Sequence, residues 1–84
     1  MFNGYLAKDA IPVTPSDTAN LGFLANRLFV GGTPGVALAG NVTVVTEMGT
    51  TATFYNVQGG EFIDLRVVQV MLTGTTAINI LALV

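Results

Sequence analysis

Asn41-Val42-Thr43-Val44-Val45-Thr46-Glu47, then Met48-Gly49, then Thr51-Ala52-Thr53-Phe54-Tyr55-Asn56 is the stretch that decides the fold. β-Branched and aromatic residues fill both runs, and a glycine-bearing pair divides them where a tight hairpin turn belongs. Val42 and Val44 fall on one face of the first run, Thr43 and Val45 on the other. Residues 57–60 turn again, because Gly59 and Gly60 accept positive φ without a Cβ clash.

Residues 62–72 form the longest β-like run. Ile63, Leu65, Val67 and Met71 share one face; Asp64 and Arg66 start the other, which gives way to Val68, Val70 and Leu72. After a turn at residues 73–76, residues 77–84 hold Asn79 as their one polar member. A strand that apolar is central in a sheet or has its outer face against another subunit, since an exposed apolar edge invites uncontrolled pairing. Upstream, residues 27–31 read as a strand and residues 32–40, with Pro34, as a loop. Residues 17–28 carry a cap at Ser16 or Asp17, but Gly22 and Asn26 weaken a helix, so a loop or short turn is expected. Pro12 and Pro15 and the lack of alternation make residues 1–14 an extended arm ahead of a β-domain at 15–84. The expected fold is all-β: a small single-domain sandwich or barrel of about five or more short antiparallel strands.

Composition says what such a domain needs. The chain has 84 residues, 51% of them hydrophobic and 10% charged, with a formal net charge of -2 and neither cysteine nor histidine. Globular chains usually carry roughly 25% charged residues, so solvated surface is scarce here. A core of this size leaves burial and chain entropy nearly balanced, and without disulfides or a zinc staple the common supplement is association. A homo-oligomer is therefore expected, with Ile78, Ile80, Leu81 and Leu83 as subunit core or interface and Phe2, Tyr5 and Leu6 as an arm that anchors to a partner. The lack of a basic cluster argues against nucleic acid. No apolar run reaches the roughly 18 residues of a membrane span, and the first ten residues lack a secretory signal, so synthesis in the cytoplasm is expected.

Catalytic readings meet an inventory problem, because Ser16 is the sole serine and has no histidine to activate it. No catalytic residue, metal or cofactor is expected. Asp17-Thr18-Ala19 resembles the Asp-Thr-Gly of dimeric retroviral-type aspartic proteases, yet Thr14, Pro15 and Ser16 stand where an apolar strand should bury the aspartate. The alternative is that Ser16 and Asp17 satisfy nearby backbone N–H groups. Glu61 and Asp64 have the wrong period to share a strand face as metal ligands. The many threonines suit exposed strand faces, with a small glycan- or host-receptor-binding module as the alternative reading.

A family resemblance runs through these pieces. Pro15-Ser16-Asp17-Thr18-Ala19-Asn20-Leu21, Arg27-Leu28-Phe29-Val30-Gly31-Gly32, Gly40-Asn41-Val42-Thr43-Val44-Val45, Gly49-Thr50-Thr51-Ala52-Thr53-Phe54 and Asn56-Val57 resemble the spike base proteins of gene transfer agents and tailed phages. Leu65-Arg66-Val67, Val70, Thr73-Gly74-Thr75-Thr76-Ala77 and Ile80-Leu81-Ala82-Leu83 continue the likeness, whereas residues 33–39 look like an insertion. The resemblance implies a structural virion protein that oligomerises on the outside of a capsid, without fixing whether as a trimer or pentamer. Its partners would be the major capsid protein and a spike or fibre, in the role of spike base or decoration and cement. Deleting residues 1–9 is expected to loosen attachment to such a partner while the domain stays folded, checked by co-sedimentation with particles and by thermal melting.

Overall fold

The computed structural model describes residues 6–33, 35 and 39–84. Among these there is no helix; seven strands, all paired antiparallel, form two sheets. In chain order they are β1 (Ala10–Pro12), β2 (Arg27–Val30), β3 (Ala39–Thr46), β4 (Thr51–Gln58), β5 (Glu61–Ile63), β6 (Val67–Val70) and β7 (Ile80–Leu83). One sheet has the order β1-β7-β2-β5 and the other β4-β3-β6. The expected all-β architecture is thus present.

The hairpin at the centre of the sequence forms as its alternation dictates. Val42 and Val44 are fully buried, and Gly49 closes the turn with φ 89° and an N–H donated to the Thr46 carbonyl at 2.9 Å. β4 outruns the expected strand and ends at Gln58, so Val57 is a buried strand residue and the turn is confined to Gly59 and Gly60. A bulge makes this extension possible. The register slips by one between Gly40 and Val42, and Asn56 takes φ 57°. Asparagine tolerates that left-handed conformation better than most residues. Without the slip Val57 would point away from the core.

Residues 62–72 are two strands, not one. β5 pairs with β2 and β6 pairs with β3, in different sheets, with a corner at residues 64–66. The Leu65 N–H bonds back to the Ile63 carbonyl at 3.0 Å, which reverses the local course, and Asp64 is drawn out of line to Arg27. A second bulge, in β6, breaks the expected face pattern: Val67 and Val70 are both buried, three positions apart, because the register shifts between Val45 and Thr46. Alternation alone had put them on opposite faces.

Among the described residues, eleven buried apolar side chains make the core. Leu28, Val30, Ile63, Ile80 and Ala82 come from the four-stranded sheet, Val42, Val44, Val57, Val67 and Val70 from the three-stranded one, and Ala25 from the loop before β2. All but Leu28 are valine, isoleucine or alanine, which suits a slab only 18 Å across its thinnest dimension. Gly40 sets one close approach: a Cβ there would lie 2.7 Å from the Ala77 Cα. That contact lets residues 71–77 run along β3 beyond β6, where Met71 N–H bonds to the Thr43 carbonyl at 2.8 Å and Thr76 N–H to the Asn41 carbonyl at 2.8 Å. β3 is consequently flanked on both sides over nearly its whole length.

The apolar C-terminal run becomes β7, which lies between β1 and β2. Ile80 and Ala82 face the core; Leu81 and Leu83 face outward and are half-buried; Ile78 precedes the strand and is exposed. The segment read as an arm supplies β1, paired to β7 with Pro12 opposite Leu81, so part of it belongs to the sheet edge. Leu6 is exposed, and Phe2 and Tyr5 lie outside the described residues. Substituting Ile80→Asp buries an unpaired carboxylate and is expected to unfold the subunit. Leu81→Asp should leave the melting temperature within a few degrees of wild type, so calorimetry of both variants separates the two faces of the strand.

Candidate functional site: the outer face of the four-stranded sheet

Cross-strand pairing decides which side chains share this face. Phe29 lies opposite Leu81 on one side and Phe62 on the other, and Pro12 lies opposite Leu81. Residues paired in this way point to the same side of the sheet. A row Pro12, Leu81, Phe29, Phe62 therefore crosses all four strands on the side away from the core, with Leu83 and Arg27 forming a second row. The Phe29 and Phe62 rings meet with centroids 5.0 Å apart at 56°. This tilted arrangement is a favourable one for aromatic pairs. Phe62 remains 47% exposed.

The one charged pair on this face is compensated within it. Arg27 Nε donates to Asp64 Oδ1 at 2.7 Å, a second guanidinium nitrogen, Nη2, donates to the same oxygen, and the guanidinium carbon sits 4.3 Å from the Phe62 ring centroid. Arg27 is held by an anion and an aromatic face at once. What the sheet presents outward is an apolar band with no uncompensated charge. A groove lined by Pro12, Val13, Phe29, Asn79 and Leu81 runs along it.

The residues singled out from sequence are distributed by this geometry. Leu81 and Leu83 lie on the outer face, Ile80 beneath it in the core, and Ile78 beyond the strand's end. Phe29 and Phe62 sit in separate runs with no signal that links them, and only the β2–β5 pairing brings them together. Arg27 and Asp64 were visible as charges interrupting apolar runs, a signal that marks strand ends.

Polar groups elsewhere are largely spent on the fold. Ser16 Oγ accepts from the N–H groups of Thr18 and Ala19 at 3.2 and 3.1 Å, the local turn expected of it. Asp17 does not act locally: Oδ1 accepts from the Thr73 N–H at 2.8 Å and Oδ2 from the Thr73 hydroxyl at 2.6 Å, across the domain. Glu61 accepts from the Gln58 N–H at 2.6 Å and so pins the β4–β5 turn. The threonine hydroxyls are similarly engaged, Thr43 with Thr53 at 2.8 Å, Thr75 with the Thr43 N–H at 3.0 Å, and Thr76 with the Asn41 N–H at 2.8 Å. Among the described residues no group of three acidic, histidine or cysteine side chains gathers as metal ligands.

Fold and face together define a small β-sandwich with one apolar, charge-neutral sheet surface. A chain of a solved structure described as "Capsid of native GTA particle computed with C5 symmetry" is similar to it, with TM-score 0.76 and 32% sequence identity over 94% of this chain and 84% of that one. The protein belongs to the same family as that gene transfer agent capsid chain. No protein-family model matches the sequence, and comparison with curated proteins gives no match.

The Thr73 side-chain hydroxyl, and next its backbone N–H, hold the Asp17 pKa below the ordinary carboxylate value. A carboxylate whose pKa is depressed by folding adds stability above its unfolded pKa and loses it as pH falls through the lower folded value. Asp17→Asn should therefore lower the melting temperature at pH 7, and the difference from wild type should close as the pH falls through the depressed folded-state pKa. Melting curves from pH 7 down to pH 2 test this.

Proposed function

We propose that the protein is a structural, non-enzymatic component of a gene transfer agent or tailed-phage-like particle. It docks as a homo-oligomer on the outside of the capsid and acts as a spike base or as a decoration and cement protein. The observation that carries this reading is the 32% identity, over 94% of this chain and 84% of the other, to a chain of a gene transfer agent capsid. The apolar face of the four-stranded sheet supports it physically. Leu81, Leu83, Phe29, Phe62 and Pro12 offer a partner an area that water wets poorly, and burying one such large side chain contributes about 1.5 to 3 kcal/mol in every subunit. The major capsid protein or a neighbouring subunit covers this face. Phe2, Tyr5 and Leu6 add the arm's anchoring contact, and a spike or fibre stands on the exposed side.

The glycan-binding alternative is weaker, since the hydroxyls of Thr43, Thr53, Thr73, Thr75 and Thr76 are engaged within the domain. The deciding experiment is the copy number of this chain per purified particle, by quantitative mass spectrometry against the major capsid protein. A ratio matching the five-fold vertices supports a spike base, and one matching local three-fold positions supports a cement protein. Absence from the particle refutes the reading. Phe29→Asp combined with Leu81→Asp should reduce the copies retained while the isolated domain still melts cooperatively.

A further inference from the structure

β4 is the one long strand edge among the described residues that nothing guards. Natural sheets protect their edges with short strands, prolines, charges or a covering loop. β1 has three residues and Pro12, and β5 has three residues and Glu61. The outer edge of β6 is covered by the loop before β2, through Ser16 N–H to the Val70 carbonyl at 2.9 Å, Leu21 N–H to Val68 at 2.7 Å and Ala25 N–H to Val67 at 3.0 Å. β4 has eight residues, Thr51–Gln58, without a charge or a proline.

The phase of the hairpin shows which backbone groups are left over. Thr46 N–H donates to the Thr50 carbonyl at 2.8 Å, so these two form a hydrogen-bonded pair. Alternation along an antiparallel ladder makes Val44 with Ala52 and Val42 with Phe54 the next such pairs. The N–H and C=O groups of Thr51, Thr53 and Tyr55 consequently point away from β3. Among the described residues β4 pairs with β3 alone, and no loop backbone bonds to Thr51, Thr53 or Tyr55. Tyr55, an aromatic 70% exposed, stands beside them.

We propose that this edge pairs with β4 of a second copy, antiparallel, about a two-fold axis at Thr53. The edge chemistry calls for an extended strand, and the sequence suits its own copy. Centring on Thr53 sets Thr51 against the other copy's Tyr55 and Ala52 against its Phe54, small against large at each position. All outward-pointing groups are matched, because Thr51, Thr53 and Tyr55 are the residues that exchange hydrogen bonds with Tyr55, Thr53 and Thr51 of the other copy. No like charges oppose one another. The bulge at Asn56 ends the pairing, and the two three-stranded sheets become one of six strands. An interface of five residues falls in the small class below about 1,200 Å², so the dimer is weak and depends on concentration.

This contact goes beyond capsid docking and is read on the isolated protein. Paired residues of this type lie about 5.5 Å apart at Cα, within disulfide range. The chain has no cysteine, so Thr53→Cys reports cleanly. Under mild oxidation it should form a disulfide-linked dimer at least about tenfold faster than Met48→Cys at the exposed hairpin tip, because pairing raises the effective thiol concentration. Thr51→Lys with Tyr55→Lys should abolish dimerisation in sedimentation equilibrium while leaving the circular dichroism unchanged. Thr51→Lys with Tyr55→Glu should restore it, since each lysine then meets the other copy's glutamate. Equal cross-linking rates at the two cysteines, a failure of the charge-reversed variant to recover, or an association state of the free protein that the Thr51→Lys, Tyr55→Lys variant leaves unchanged overturns the proposal.

Discussion

The structure depends on the insertion of β7 between β1 and β2. Ile80 and Ala82 complete the four-stranded side of the core, and the same strand's backbone holds β1 against the sheet. Leu81 and Leu83, turned the other way by the pleat, join Phe29 and Pro12 on the outside. One short strand therefore supplies the core, the edge and the apolar surface. Asn79 prepares this placement: it adopts φ 57°, accepts from the Gly31 N–H at 2.8 Å and donates through Nδ2 to the Gly32 carbonyl at 2.6 Å, fixing where β7 begins.

A domain with so few charges solves its surface in two ways. Where the outer face carries charge, Arg27 and Asp64 neutralise one another, and Phe62 shields the guanidinium. Where the three-stranded sheet has polar outward side chains, they are mainly threonines bonded to one another or to the 71–77 segment, as Thr43 is to Thr53. These arrangements satisfy polar groups without presenting net charge, leaving an apolar face and a bare backbone edge for other proteins. An association module is the natural outcome of that chemistry, and the relationship to a gene transfer agent capsid chain agrees with it.

Particular elements show how far the residues alone could be read. The β3–β4 hairpin was legible because strict alternation and a glycine turn leave one solution. β2 was legible for the same reason. The corner at residues 64–66 was not, since Asp64 and Arg66 also fit the polar face of a continuous strand. Only pairing with two different partners distinguishes a bent run from a straight one. β1 was hidden by Pro12, which fits an arm as well as it fits an edge strand.

The all-β class and the small apolar core follow from local alternation and turn residues, and the shortage of solvated surface from charge content, all of which the residues carry without their fold. Tertiary structure decided which faces those residues occupy. Two bulges, at Asn56 and in β6, each shift the register by one and send Val57 and Val70 inward. Cross-strand pairing then gathered Phe29, Phe62, Leu81 and Pro12 into one surface. Such a surface is a property of register between distant segments, and register is set by the energy of the whole packed sheet, which no single run contains.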